Sequence, residues 1–159
     1  GRLKTEYYLA SVINTYRTAI DDYLKKPKEY DYTKYLRELE KIKTRGLTTF
    51  YFNDRNNKDF QEYEGKQYNL EYEFGGKVIE YSEDKSLIEI RNKLNVGDTM
   101  EVLIPGTIKN FVFTIEELWD SETGASIPCV NPGKLGQTVK MKLPIKCEKD
   151  WILRRKKDK

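Results

Sequence analysis

Hydrophobic positions change their period once along this chain, and the change divides it. From Thr5 to Lys25 they recur every three or four residues, at Tyr8, Leu9, Val12, Ile13, Tyr16, Ala19, Ile20, Tyr23 and Leu24. These positions form one broad helical stripe, with Ser11, Asn14, Thr15, Thr18, Asp21 and Asp22 opposite, so the spacing predicts a helix over 5–25. Thr5 suits the N-cap, Lys25 and Lys26 suit the negative end of the helix dipole, and Pro27 stops the helix. Tyr35, Leu36, Leu39 and Ile42 predict a second helix over 32–45, capped by Asp31 and ended at Arg45-Gly46. A short Pro-containing link makes the two an antiparallel pair. The first stripe is wide and needs a large partner surface.

Residues 53–66 are polar and turn-rich and read as a loop. From Tyr68 onward the period is two. Leu70, Tyr72 and Phe74 alternate with Asn69, Glu71 and Glu73, and further short runs centre on Val78, Ile88, Val102, Phe113 and Met141. Turns are expected at Ser82–Lys85, Asn95–Asp98 and Ser121–Gly124. About six short strands at roughly 12-residue spacing predict a small antiparallel barrel or sandwich. Gly75-Gly76 inside the first strand predicts a bulge or barrel corner. The fold class is therefore α+β: a helical hairpin over 1–52, a loop over 53–66 and a β-barrel over 67–159.

Composition removes several chemistries. Among 159 residues there is no histidine, which excludes a Ser-His-Asp triad, a Cys-His dyad or a histidine zinc site within the chain. Cys129 and Cys147 form no C-x-x-C pair, so metal and redox motifs lack support and a reducing cytoplasm is the expected setting. No metal and no cofactor are expected. No run of about 18 apolar residues exists, so no membrane partner is expected, and residues 1–25 lack a signal-peptide pattern. The net charge of +3 is unevenly spread: residues 1–45 carry 11 Lys/Arg against 7 Asp/Glu, residues 46–150 carry 13 against 18, and residues 151–159 carry 5 against 1. Any nucleic-acid binding is expected at the basic ends.

Particular blocks resemble a known family. Gly1 to Ala10, continuing through Tyr16-Arg17 to Ala19-Ile20-Asp21, is similar to the closing segment of the peptidase family U32 barrel. Arg45-Gly46-Leu47-Thr48-Thr49 with Phe52 resembles the next block. Tyr72, Phe74 and Gly76-Lys77-Val78 resemble the first strand of the family's C-terminal domain, Arg91 to Asp98 its most recognisable block, and Ile152 to Lys156 its usual ending. The resemblance implies a TIM-like catalytic barrel followed by a small β-barrel of the translation-factor kind. This chain would be the C-terminal piece, with helix 5–25 the last helix of a catalytic barrel that is its own partner. The family's members are described as collagenase-like proteases, and some act in prephenate-dependent hydroxylation of RNA bases. The parent would thus be an enzyme, while this piece alone would not.

Four groups of side chains are candidates. Arg2 and Lys4 could hold a substrate carboxylate or phosphate near a helix N-terminus; the blander reading is two cations on a loose end. Arg91 and Lys93 could meet a nucleic-acid backbone; otherwise the block is structural, with Asn92 bonding backbone at the strand end and Val96-Gly97-Asp98 making the turn into the next strand. Arg154, Arg155 and Lys156 form a basic tail that could bind nucleic acid; otherwise it is a solvated charge run. Tyr63, Tyr68 and Tyr81 could offer stacking platforms, though most aromatics sit at core spacing. Glu116-Glu117 and Glu83-Asp84 are adjacent pairs, which in strands would face opposite ways. No catalytic residue is expected. The expected role is accessory: packing on the catalytic barrel and helping to hold a protein, peptide, tRNA or rRNA substrate, or else purely structural or self-associating.

Overall fold

The computed structural model describes residues 4–42, 71–133 and 136–157. Helix α1 runs over Glu6–Lys25. Its cap is the predicted one: Thr5 is extended, and its Oγ1 accepts from the Tyr8 N–H at 3.2 Å. A single 3₁₀ turn at Pro27–Glu29 leads to α2 over Thr33–Glu40. Asp31 Oδ1 accepts from the Thr33 N–H at 2.9 Å, as an Asx cap does. The helix is shorter than its periodicity suggests, turning at Lys41 and Ile42. The predicted stop at Arg45-Gly46, the loop at 53–66 and Tyr63 and Tyr68 lie outside the described residues.

Among the described residues ten strands follow: β1 Tyr72–Glu80, β2 Ser86–Ile90, β3 Leu94–Asn95, β4 Thr99–Leu103, β5 Phe111–Thr114, β6 Leu118–Asp120, β7 Ser126–Ile127, β8 Cys129–Val130, β9 Thr138–Met141 and β10 Ile152–Lys156. Eight form one curled antiparallel sheet in the order β5-β4-β10-β1-β2-β9-β6-β7, and β3 pairs with β8 beside it. Among the described residues the sheet begins at β5 and ends at β7, a curled half-barrel that agrees with the α+β class and small antiparallel barrel predicted. The predicted bulge is present: the β1–β10 register shifts between Phe74 and Gly76. Gly76 lies so close to β2 that a Cβ there would sit 2.6 Å from the Glu89 carbonyl oxygen.

Two cores form, one on each face. The concave face buries Val78, Ile88, Leu94, Met100, Leu118, Val139 and Leu153 among others. The convex face of β1, β10 and β4 is covered by the helices, through Tyr7, Ile42, Phe74, Leu103 and Ile152. Tyr7 stacks on Phe74 at 6.0 Å between ring centres. Strand β10 is therefore buried on both sides, and three consecutive residues, Ile152, Leu153 and Arg154, are shielded from water. The chain ending that reads as a basic tail is a central strand.

Candidate functional site

Among the described residues, the cations singled out in the sequence differ in their surroundings, and several are engaged with carboxylates. The Arg154 guanidinium has no exposed area. It donates to Glu38 at 2.7 and 3.2 Å, and to Glu101 at 2.9 Å through Nε and again through Nη2. Lys41 completes the cluster, 3.1 Å from Glu38 and 3.6 Å from Glu101. Burial pushes the Glu101 carboxyl up, but the charge and hydrogen bond of Arg154 outweigh it and hold the carboxyl below its ordinary value. Burial and the neighbouring Glu101 push Tyr72, against which Arg154 lies, up to about 12. Arg154 is thus corrected from an RNA candidate to the staple between α2 and the sheet.

Arg155 is also engaged, donating to Glu73 and, at 3.0 Å, to Asp98. Arg91 pairs with Glu89 at 3.0 Å, touches Glu6 at 4.0 Å and lies over the Phe74 ring. Asn92 donates to the Phe74 carbonyl at 3.0 Å, which is the structural role weighed for that block. Lys93 and Lys156 are exposed. Lys4 is exposed with its ammonium over the Tyr8 ring. Arg2 lies outside the described residues.

A more prominent surface comes from α1. The helix turns its small polar residues inward, so that Tyr7, Ser11, Thr15 and Thr18 are buried. Asn14 clamps the β4–β5 connection, donating to the Ile104 and Thr107 carbonyls at 3.2 and 2.8 Å and accepting from the Gly106 N–H at 2.8 Å. The hydrophobic stripe faces out: Ile13 is 65% exposed, Ile20 52% and Leu24 71%. A groove of about 350 Å³ between α1 and α2 continues it, walled by Tyr16, Ile20, Tyr23, Tyr30 and Leu36. This contiguous apolar face, on a helix pinned from behind, has the character of an interaction surface.

A second concavity of about 470 Å³ lies where β5, the β5–β6 link, β6 and the chain after β9 meet. Phe113, Glu116, Glu117, Trp119, Lys142 and Pro144 line it. Glu116 and Glu117 share this cleft, contrary to the expectation of opposite faces, because the link between β5 and β6 is not extended strand. Lys85 lies over the Trp119 ring, 4.2 Å from its centre, and Lys140 is the cross-strand partner of Trp119. Sequence reasoning weighed tyrosines as platforms and passed over Trp119. The signal available was a tryptophan just before the Ser121–Gly124 turn, one residue out of phase with the inward-facing Leu118.

Among the described residues no three His, Cys, Asp or Glu side chains are placed to hold a metal ion. Both cysteines are free thiols, and burial pushes the Cys147 thiol up to about 11. No described helix is long and apolar enough to cross a membrane.

The family model described as the peptidase family U32 C-terminal domain matches residues 70–154, and that described as peptidase family U32 matches residues 1–62. The chain is similar to tRNA hydroxylation protein P of Escherichia coli, 33% identical over 155 residues, which is 96% of this chain and 33% of that protein. It is similar also to tRNA hydroxylation protein P1 of Bacillus subtilis, 34% identical over 125 residues, covering 77% of this chain and 29% of that protein. The chain spans about a third of the length of the curated relatives it matches. Among solved structures it is similar to the C-terminal domain of a Geobacillus thermoleovorans protein assigned to the U32 peptidases, 29% identical with a TM-score of 0.47, covering 54% of this chain and 93% of that one.

Proposed function

The chain belongs to peptidase family U32, whose C-terminal domain it contains, and from that premise we propose that it is the accessory C-terminal part of a protein that modifies tRNA. The observation that carries this reading is similarity across 96% of the chain to a protein named for tRNA hydroxylation. Those names favour RNA over a peptide as the substrate. The accessory role is supported by the chemistry in hand: the strongest charged constellation, Arg154 with Glu38 and Glu101, is sealed from substrate and its carboxylates are neutralised.

The α1 stripe would pack on the catalytic barrel of the same protein. In this reading residues 1–62, matched by the family's main model, carry the contact. Helix α1 is fixed by Asn14 on the β4–β5 connection and by the Tyr7–Phe74 stack, and α2 by Arg154, so the domain would hold a set orientation over the barrel. Exposed Lys93, Lys156 and Lys4 remain candidates for phosphate contacts, and Arg2 for a substrate anion.

The test is a nucleoside profile. tRNA from cells lacking the full-length protein is digested and analysed by mass spectrometry. A nucleoside heavier by one oxygen atom should be lost, and should return when the full-length protein is supplied. An unchanged profile would remove the reading.

A further inference from the structure

The cleft between β5, β6 and the chain after β9 has the parts of a nucleotide site. We infer that it binds one unpaired nucleotide of an RNA, with the base against Trp119 and the adjoining phosphates on Lys85, Lys140 and Lys142; this rests on the RNA reading above. Three observations carry it. First, Trp119 is half-buried and lines the cleft with Phe113. Aromatic faces of this kind bind bases of any sequence. The cleft volume of about 470 Å³ falls within the usual range of about 300–1,000 Å³ for small-ligand sites.

Second, the three lysines converge by register. Leu87 pairs with Lys140, and Lys140 with Trp119. The next pair, Ser86 with Met141, is the last of that ladder, and Lys85 and Lys142 stand just beyond it on the two strands. Like charges placed side by side across a sheet repel. Among the described residues, none of these lysines takes part in an ion pair, whereas Lys41, Lys77, Arg91, Arg154 and Arg155 each meet at least one carboxylate. A polyanion would relieve this repulsion, which is the charge complementarity an RNA backbone supplies.

Third, the cleft that Lys142 helps to line also holds Glu116 and Glu117. They would repel a phosphate there but can accept from the amino group of a base edge. The cleft thus offers carboxylates and aromatic rings to the base, while Lys142 in its lining, with Lys85 and Lys140 beside it, would serve the phosphates.

The experiment uses the full-length protein and labelled single-stranded RNA, read by fluorescence anisotropy across a salt series, with bulk tRNA as competitor. Trp119→Ala should weaken RNA binding by about 10-fold, since base stacking on an aromatic ring is worth about 1–3 kcal/mol per base. Trp119→Phe should keep most of the affinity. Changing Lys85, Lys140 and Lys142 together to Gln should lower the salt slope by about 2. Thermal melts of each variant establish that it is folded, and the Phe and Gln variants preserve the test should the Ala variant melt early. RNA binding that is intact in both the Trp119→Ala and triple-Gln variants would overturn the inference while leaving the tRNA reading in place. Loss of binding to an unfolded polypeptide, with RNA binding unchanged, would overturn it in favour of a protein ligand. A wild-type protein that neither binds RNA nor alters the tRNA nucleoside profile would remove both.

Discussion

Arg154 on β10 grips Glu38 on α2 through two hydrogen bonds, 2.7 and 3.2 Å long, across 116 residues of sequence and out of contact with water. The pair ties the helical hairpin to the sheet. Removing one partner of such a pair leaves the other charge buried and unmatched, which costs about 3–5 kcal/mol. Arg154→Met should therefore lower unfolding free energy by about that amount in urea melts. A loss below about 1 kcal/mol would show that water reaches the cluster.

The same cluster sets an acid limit. Glu101 is held below its ordinary value of 4.5 by Arg154 despite burial. A depressed carboxyl contributes stability that is fully present above its unfolded value and is lost as pH falls through its lower folded value. Stability should thus fall as pH drops below about 4.5. In Glu101→Gln that dependence should be shallower. Urea midpoints measured from pH 6 down to pH 2 check this, and parallel curves for the two proteins would contradict it.

The contrast between α1 and β10 shows how far the sequence could be read. Thr5, Pro27 and the hydrophobic spacing mark the ends and type of α1 because those signals are local. Which face is buried depends on what surrounds the helix, and here Ser11, Thr15 and Thr18 are inside because small side chains let the helix approach the sheet. Strand β10 was hidden for a related reason. A strand covered on both faces loses the alternation that identifies strands, and Arg154 looks like a solvated cation until Glu38 and Glu101 arrive from other elements. The Trp119 cleft has the same character: Lys85, Trp119 and Lys142 come together through pairing register, which a single sequence does not display.

Neighbouring glycines in β1 should respond unequally to alanine. At Gly76 the new Cβ would meet the Glu89 carbonyl oxygen at 2.6 Å and Ile88 Cγ2 at 3.0 Å. The oxygen belongs to a paired strand and cannot turn aside. At Gly75 the closest atom, also at 2.6 Å, is the terminal methyl of Met100, which can move. Gly76→Ala should cost about 1–3 kcal/mol or more, and Gly75→Ala less. Chemical denaturation of the two variants decides it, and equal losses would show that β1 shifts as a unit.

The two thiols should also separate. Cys147 is buried with its thiol pushed up to about 11, whereas Cys129 is partly exposed on β8. The thiolate is the reactive form. At pH 8 a disulfide reagent should label Cys129 rapidly and Cys147 only on unfolding. Mass spectrometry of peptides after brief labelling checks the order, and rapid reaction at Cys147 would mean that the core around Leu143 opens in the native state.

The exposed stripe of α1 should matter little to the domain alone and much to the full-length protein. Ile13 and Leu24 are 65% and 71% exposed, so in the 159-residue chain they have little packing to lose. Changing both to Glu should leave its unfolding free energy nearly unchanged, within about 0.5 kcal/mol, as for other surface substitutions. If the stripe packs on the catalytic barrel, the same change in the full-length protein places two carboxylates in an apolar interface. Burying such charges without partners is strongly unfavourable, so the domains should separate. Limited proteolysis should then cut between them, and the tRNA nucleoside with the added oxygen should decline. An equal loss in both proteins would mean that the stripe serves the domain's own fold. No effect in either would place the barrel contact on another face.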